Sequence, residues 1–425
     1  MEVNNEDNMK KAVSDFNEFV KMHKYGDLMQ TANWGKVKEP NWYHRRLTVK
    51  DKGEIIGTAM LLFRRIPKTK YTMCYIPRGP VFDYQNQACY KPILDEIKEV
   101  ARKENAFIIK MDPNVLRADN GDFIVENMEQ NGFEHNGYSK DMHANAQPRF
   151  TMITDLDKTE DEVFQSFRRD TRTKINKGEK KKLVCKEYSL DHLKTFDKLM
   201  TITETRDDFL GRGYDYYKQL LESFEMGEEA FLYLTSIDFD DLVEVKEKEQ
   251  KDIEKNIKRI NKQIDKDPGE EKLANLNKEL DILFKRQERC EAQLAEISTM
   301  DVDDDHKIYL SGAILMVSGI RSYYLYGASS DHLRELYPNY TMQWTMMKKA
   351  MEKGAKNYDF GGISGYIEDD ERHLDESPGL YDFKKLFGTD VAERVGEFNC
   401  VMKPAINGIF NSLMKARSWY LAKKK

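Results

Sequence analysis

The chain has 425 residues, of which 40% are hydrophobic and 33% charged, so it can form two to four domains and is neither a small stapled scaffold nor a low-complexity chain. No run approaches the roughly 20 consecutive apolar residues that cross a bilayer, and the polar, acidic start lacks a signal-peptide pattern, which predicts a cytoplasmic protein. The net charge of −6 is uneven: residues 166–186 and 403–425 are basic on an acidic body, which allows polyanion binding.

Cysteine and histidine are too scattered to indicate a metal site. The five cysteines lie far apart without a CxxC pair, and the eight histidines show no spacing such as HExxH. The same scatter argues against a disulfide framework. We therefore expect neither a bound metal nor disulfides.

The first domain, predicted at residues 1–150, carries alternating strand and helix signals. Strands are predicted at residues 47–49, 59–63, 71–76 and 107–111, with a helix near residues 87–103. The turn Asp51-Lys52-Gly53 joins the first two strands, and Asp112-Pro113 ends the last. Strands followed by a helix and a further strand predict a mixed sheet covered by helices.

A second domain, predicted at residues 151–240 and 301–400, has a similar order. Strands are predicted at residues 308–317, 323–326 and 358–360, with a helix near residues 339–353. Two halves of similar order indicate a duplicated unit. The predicted fold class is therefore α/β (α+β), with one such unit used twice.

Residues 241–300 interrupt the second domain and have the pattern of a helical hairpin. Their only Gly and Pro are the adjacent Pro268 and Gly269. Apolar residues recur at heptad spacing on both sides of that turn, at Ile253, Ile257, Ile260, Ile264, Leu273, Leu276, Leu280 and Leu283. We predict two antiparallel helices of about 25 residues, each roughly 38 Å long, that project as a spacer, a dimerisation arm or an RNA-gripping arm.

Five short segments occur in an order known from one enzyme family. They are residues 34–38 (WGKVK), 107–113 (FIIKMDP), 324–329 (YLYGAS), 358–362 (YDFGG) and 383–388 (FKKLFG). Together with the hairpin, they resemble the FemABX peptidoglycan-bridge aminoacyltransferases over nearly the whole chain. The resemblance implies two acetyltransferase-like (GNAT) domains, with residues 401–425 returning to the first.

The same resemblance implies an activity. The expected reaction moves an amino acid from aminoacyl-tRNA to the stem-peptide amine of a peptidoglycan precursor, either lipid II or UDP-MurNAc-pentapeptide, without a cofactor. An aminoacyl ester is already activated, so the enzyme must mainly position two substrates and stabilise a tetrahedral oxyanion. No Ser/His/Asp or Cys/His arrangement is needed.

The resemblance also suggests site residues. Lys384 of the FKxxFG motif is implied as the catalytic cation, with Lys385 as its alternative. Lys36, with Lys38 as its alternative, and Arg212 are implied to contact the precursor's pyrophosphate.

Four further substrate-binding residues follow from the same comparison. Tyr216 is expected one turn beyond Arg212 on the same helical face, and Asp112 is expected at a strand end, where open α/β sheets bind ligands. Phe107 stands where some members have Tyr, and Tyr326 belongs to the YLYGAS segment. These residues are predicted to surround the acceptor.

The basic segment is the predicted tRNA surface, because tRNA is bound mainly through its phosphates. The residues expected to contribute are Arg168, Arg169, Arg172, Lys174, Lys177 and Lys181.

Two alternative functions stay open. The first is a GNAT acyltransferase with another donor, which would share the fold; this sequence, however, lacks the Q/R-x-x-G-x-G/A loop of CoA enzymes. The second is a non-catalytic coiled-coil adaptor, which would leave the FKxxFG arrangement unexplained.

Residues 404–422 are predicted to form a helix with an apolar stripe. It either docks on the first domain or, with Lys423-Lys424-Lys425 at its end, contacts the inner membrane face as a basic amphipathic helix.

Overall fold

The computed structural model describes residues 3–39, 41–300, 302–303 and 305–422. The helices are α1 (Val3–Met22), α2 (Ala32–Val37), α3 (Gln87–Lys103), α4 (Gly121–Gln130), α5 (Glu160–Ser166), α6 (Arg169–Lys180), α7 (Leu193–Asp207), α8 (Tyr214–Ser223), α9 (Phe239–Ile264), α10 (Glu270–Ile297), α11 (Pro338–Glu352), α12 (Pro378–Lys385) and α13 (Pro404–Ala422).

The strands form two sheets. They are β1 (Tyr43–Asp51), β2 (Glu54–Arg65), β3 (Thr72–Ile76), β4 (Val81–Phe82), β5 (Ala106–Met111), β6 (Glu134–His135), β7 (Phe150–Asp155), β8 (Val184–Tyr188), β9 (Ala230–Asp238), β10 (Lys307–Ser318), β11 (Arg321–Ser329), β12 (Asn357–Ile363), β13 (Thr389–Glu393) and β14 (Phe398–Val401). The first sheet has the order β1-β2-β3-β5-β14-β6, with β4 paired to β2; the second has the order β13-β7-β12-β11-β10-β9-β8.

Each sheet contains the same four-stranded arrangement. In the first, β1, β2 and β3 are antiparallel, α3 follows, and β5 lies parallel to β3. In the second, β9, β10 and β11 are antiparallel, α11 follows, and β12 lies parallel to β11. A parallel neighbour requires such a crossover. The prediction of a duplicated mixed α/β unit is thereby confirmed.

Strand β14 joins the first sheet after the chain has completed the second, and the two sheets share a core. β14 pairs with β5 of the first sheet, so the chain has returned there by residue 398. One buried cluster joins Met60 and Leu62 of β2 with Leu232 of β9 and Ile314 of β10. Because apolar side chains of both sheets are buried together, the boundary between the halves is packed and can hold a site in a fixed geometry.

The segment predicted as a hairpin forms α9 and α10, inserted between β9 and β10. Ile253, Ile260, Leu276, Leu280 and Leu283 are buried together along their seam. Ion pairs show that the helices run antiparallel: Arg286 contacts Glu249 at 3.1 Å, and Arg259 contacts Glu279 at 3.6 Å. Gly269, with a φ of +82°, closes the turn in a conformation that favours glycine.

The C-terminal helix α13 lies against β5 by one edge. Phe410 packs on Phe107 with ring centroids 5.1 Å apart, while Ile409, Leu413 and Met414 are exposed. Thus only part of the predicted stripe docks, and the predicted basic end, residues 423–425, lies outside the described residues. Across the described ranges, no helix combines the length and apolar character needed to cross a bilayer.

Candidate functional site

Lys384 lies in the last turn of α12, and its side chain is only 6% exposed. Its Nζ donates a hydrogen bond to the Gly362 carbonyl of β12 at 2.7 Å. The next lysine, Lys385, is exposed and lies over the Tyr381 ring at 5.1 Å. Phe387, in the same FKxxFG segment, is fully buried and packs in the core of the second sheet. The structure therefore holds Lys384, and not Lys385, inside the protein.

The environment of Lys384 changes its chemistry. Burial lowers the pKa of its amine to about 8, and the nearby Asp359 carboxylate opposes that shift. Both protonation states are therefore accessible near neutral pH. As a cation the amine can stabilise an oxyanion, and as a neutral amine it can accept a proton.

Asp112 follows β5, is buried, and accepts two hydrogen bonds. Its Oδ2 accepts from the Tyr75 hydroxyl at 2.7 Å, and its Oδ1 accepts from the Arg78 backbone N–H at 2.6 Å. Burial raises the pKa of the Asp112 carboxyl to about 6, against the opposing charge of Arg78. The carboxylate thus fixes the turn after β3 and orients the Tyr75 hydroxyl.

Pro148 connects the surroundings of Asp112 with those of Lys384. The Arg78 guanidinium donates to the Pro148 carbonyl at 2.8 Å. On its other side, Pro148 approaches Gly362 so closely that a Cβ there would lie 2.5 Å from Pro148 Cγ, which only glycine permits. Since Gly362 accepts from Lys384, Asp112 and Lys384 lie on either side of one proline at the boundary between the sheets.

A buried ion pair supports this boundary. Arg394 donates to Asn114 at 2.8 Å and to Thr151 at 2.8 Å, and its NH2 group contacts the Asp359 carboxylate at 3.3 Å. Asn114 follows β5 of the first sheet, whereas Thr151 and Asp359 lie on β7 and β12 of the second. One guanidinium therefore joins the two halves and holds the carboxylate that acts on Lys384.

A second cluster brings Lys38, Tyr216 and Tyr326 together. Lys38 Nζ donates to the Tyr216 hydroxyl at 2.9 Å and lies 4.3 Å from the centre of the Trp34 ring. The Tyr326 hydroxyl contacts that of Tyr216 at 3.4 Å. Burial, and then the charge of Arg212, lowers the pKa of Lys38 to about 8. The cluster is a half-buried cationic and aromatic surface between α2, α8 and β11.

The remaining predicted contacts are placed differently. Arg212 precedes α8 and does not share its face, because Gly213 caps a helix that begins at Tyr214; that detail of the prediction is wrong. Its guanidinium nevertheless lies 5.7 Å from the centre of the Tyr216 ring. Lys36 points to solvent on α2. The structure thus groups Arg212 with Lys38 and leaves Lys36 outside the cluster.

Phe107 belongs neither to the group around Lys384 and Asp112 nor to the cluster around Lys38. Its side chain is fully buried, and its ring packs on Phe410 of α13. No surface is left for a ligand, so the substrate-binding prediction for Phe107 is not supported, and the residue acts in packing.

Trp42 links the two clusters. Its backbone N–H donates to the Lys38 carbonyl at 3.1 Å, and its ring lies 6.4 Å from that of Tyr75, which bonds to Asp112. Contacts therefore run continuously from the cationic surface at Lys38 to the buried amine of Lys384.

The basic helix α6 divides into two kinds of residue. Arg168, Arg169 and Lys177 are exposed. Arg172 donates to the Gln165 carbonyl at 2.8 Å, and Lys174 donates to the Tyr340 hydroxyl at 3.2 Å. The last two side chains are therefore engaged within the protein.

A groove of about 590 Å³ separates the end of α6 from the helical hairpin. Lys177 and Lys181 line one wall, and Lys248, Arg286 and Arg289 line the other. Burial lowers the pKa of Lys181. The groove is mixed in charge, because Glu244, Glu249, Asp252 and Glu335 also line it and Arg286 pairs with Glu249 at 3.1 Å. The basic residues predicted on α6 thus face further cations of the hairpin, which the sequence could suggest only by analogy.

Several residues of the boundary were not predicted from the sequence. They are Trp42, Tyr75, Arg78, Asp359 and Arg394. Of these, Asp359 was recognised only as part of the YDFGG segment. Among the described residues, no three His, Cys, Asp or Glu side chains come together as a metal site would require.

Comparison with known proteins identifies relatives over most of the chain. The sequence profile described as the FemAB family matches residues 12–415. Lipid II:glycine glycyltransferases of Staphylococcus aureus, strains MSSA476 and MW2, are 38% identical over 387 residues, which is 90% of each chain. A crystal structure of FemX matches with a TM-score of 0.75 at 36% identity, covering 93% of this chain and 98% of that one.

Proposed function

The chain belongs to the FemAB family, and we propose that it transfers an amino acid from aminoacyl-tRNA to the stem-peptide amine of a lipid-linked peptidoglycan precursor. The relatives' name supports lipid II as the acceptor and glycine as the first amino acid to test. The observation that carries the proposal is the buried amine of Lys384, held at the boundary of the two sheets beside Asp359 and connected through Pro148 to Asp112.

In this proposal Lys384 acts on the reacting carbonyl. Attack of the stem-peptide amine on the aminoacyl ester forms a C–N bond and gives a tetrahedral intermediate. The intermediate collapses to the amide as the ester C–O bond breaks, and the proton lost by the amine goes to the departing 3′ oxygen of the tRNA. The Lys384 ammonium stabilises the oxyanion, and low exposure strengthens that interaction. Asp112, with Tyr75 and Arg78, lines the acceptor side of the same boundary.

The charged end of the acceptor is assigned to the cluster of Lys38, Arg212 and Tyr216. A pyrophosphate needs cations and hydroxyl donors, and this cluster offers both. Lys38 replaces Lys36 as the preferred contact, because its amine is held within the cluster.

We expect Lys38→Met to raise KM for the acceptor by about 10- to 100-fold while kcat changes little. The reason is that a charge-assisted contact to a non-reacting group contributes equally to the ground and transition states, at about 1.5–3 kcal/mol. Initial rates against acceptor concentration measure this split. Lys36→Met, an exposed lysine two residues away, is the matched control and should behave as wild type; equal effects of both variants would contradict the assignment.

The donor is assigned to the basic surface of α6 and the groove beside the hairpin. We expect neutralisation of Arg168, Arg169 and Lys177 together to weaken tRNA binding and to reduce the slope of log affinity against log salt by roughly 2 to 3, because fewer counterions are released. Titration of tRNA at several salt concentrations measures the slope.

Three exposed lysines of the first domain, Lys50, Lys68 and Lys70, provide a control with the same change in charge. The control variant should keep the wild-type slope. Equal losses in both triple variants would indicate unspecific attraction, and an unchanged slope in the α6 variant would place the tRNA elsewhere.

Contact with the inner membrane face is also part of the proposal, because a lipid-linked acceptor is held there. A screen of aminoacyl-tRNAs against lipid-linked and UDP-linked acceptors tests the function as a whole. Transfer to the lipid-linked acceptor supports it, whereas transfer to the UDP-linked acceptor alone would contradict the lipid-linked part of the proposal. Transfer from a CoA thioester in place of aminoacyl-tRNA would support the acyltransferase alternative.

A further inference from the structure

The loop between α7 and α8, residues 208–213, exposes two adjacent apolar side chains. Leu210 is 95% exposed and Phe209 is 46% exposed. Single exposed apolar residues are common on protein surfaces, whereas neighbouring ones at the tip of a loop suggest a surface that is covered in use.

The backbone holds these side chains outward. Asp208, which follows the last residue of α7, adopts a left-handed conformation with a φ of +49°. The N–H groups of Asp208 and Phe209 both donate to the Glu204 carbonyl, and these two hydrogen bonds close the end of the helix. At the other end of the loop, the Arg212 N–H donates to the Tyr217 hydroxyl at 3.3 Å. In a helix end of this type, the residue after the left-handed one often packs back on the helix. Phe209 remains half exposed instead.

The loop is continuous with the cationic cluster. Arg212, two residues after Leu210, lies 5.7 Å from the centre of the Tyr216 ring, and Tyr216 bonds to Lys38. In a lipid-linked precursor the pyrophosphate joins the sugar to a polyprenyl chain in the bilayer. A protein that takes this pyrophosphate must approach the membrane surface at that point.

We propose that Phe209 and Leu210 insert into the bilayer surface beside the lipid-linked acceptor, so that Arg212 and Lys38 meet its pyrophosphate at the level of the headgroups. This inference rests on the proposed function, because it takes the acceptor to be lipid-linked. It deepens that function by assigning the face of the enzyme that meets the membrane.

The charges around the loop favour apolar insertion over electrostatic attraction. Asp208 and Asp215 are exposed, and Asp207 pairs with Arg206 at 2.9 Å. The segment around the loop therefore carries no excess of positive charge. Binding through this loop should therefore depend little on anionic lipid, unlike binding by a basic amphipathic helix.

The exposed apolar side chains of α13, Ile409, Leu413 and Met414, lie farther from the proposed acceptor site. α13 docks at Phe107, near the start of β5, whereas Asp112 follows the end of that strand. Five residues of extended strand separate the two by roughly 17 Å. The loop, in contrast, is part of the segment that carries Arg212.

The test is flotation of the full-length protein with vesicles of phosphatidylcholine, and of phosphatidylcholine with phosphatidylglycerol. Phe209→Ser with Leu210→Ser should weaken binding to both at least about tenfold, because two large apolar side chains no longer leave water. Ile282→Ser with Phe284→Ser on α10 is the matched control, since these side chains are 62% and 49% exposed. The control variant should bind as wild type.

Activity gives a second readout. The loop variant should lose rate at least about tenfold with polyprenyl-linked acceptor in vesicles and keep the wild-type rate with a short-chain, water-soluble acceptor. Wild-type vesicle binding by the loop variant would overturn the proposal. The proposal would also be overturned if only the α13 variant, Ile409→Ser with Leu413→Ser, lost vesicle binding. A loss of binding by the loop variant that is confined to vesicles carrying the acceptor would overturn it too, because the loop would then contact the prenyl chain and not the bilayer. Loop-dependent vesicle binding without transfer from any aminoacyl-tRNA would instead refute the proposed function and leave the membrane contact standing.

Discussion

Lys384→Met is expected to lower kcat by about 10²-fold or more, with a modest change in KM for either substrate. A cation that acts on the oxyanion contributes more in the transition state than in the ground state, and removal of one such donor costs about 2.7–4 kcal/mol in other enzymes. Single-turnover rates with saturating aminoacyl-tRNA and acceptor measure the effect. Lys385→Met, an exposed neighbour, is the matched control and should retain the wild-type rate.

The pH dependence distinguishes the two protonation states of Lys384. Its amine has a pKa lowered to about 8, so it is mainly a cation below that pH and mainly neutral above it. If the cation acts, the ratio of wild-type to Lys384→Met rates should fall as pH rises through about 8, and taking the ratio removes the ionisation of the acceptor amine. A ratio that rises would indicate a general base, and a variant within a few-fold of wild type would remove Lys384 from the mechanism.

Arg394→Met is expected to destabilise the protein by about 3–5 kcal/mol, the cost of breaking a buried ion pair by removing one partner. Arg394 is 4% exposed, and its loss removes the ion-pair partner of the buried Asp359 carboxylate and the donor to Asn114. Urea unfolding followed by circular dichroism and by fluorescence measures the loss.

The matched control is Arg117→Met. Arg117 pairs with Glu393 at 3.0 Å on a much more exposed surface, where an ion pair contributes up to about 1 kcal/mol. Equal stability of the two variants would mean that Arg394 does not hold the halves together.

Local patterns in the sequence located seven of the fourteen described strands, β1–β3, β5 and β10–β12, together with the two hairpin helices, whereas β7, β8 and β9 were not predicted. Alternating apolar residues and the Asp51-Lys52-Gly53 turn identify β1 and β2, and heptad spacing identifies α9 and α10, because each pattern is completed within one short segment. Short strands such as β13 and β14 were not predicted. Their pairing depends on β7 and β5, which lie more than 200 residues away in sequence.

The candidate site could be predicted only in part, for a related reason. Lys384 and Lys385 are adjacent and chemically identical, and only the packing of α12 decides which one is buried. The same holds for Lys36 and Lys38. Phe107 was assigned to the site because an aromatic residue on a strand has the same sequence pattern whether it faces a ligand or a helix. Asp359 and Arg394 are 35 residues apart, so no local signal indicates that they pair.

The central claim is tested most directly by incubating the purified full-length protein with labelled glycyl-tRNA and lipid II in vesicles, and by measuring the label on the stem peptide. We predict that label appears on the stem-peptide amine with the wild-type protein, is reduced about 10²-fold with Lys384→Met, and is absent when the tRNA is digested beforehand. The account would be contradicted if folded wild-type protein left the stem peptide unlabelled with every aminoacyl-tRNA, on lipid-linked and UDP-linked acceptors alike.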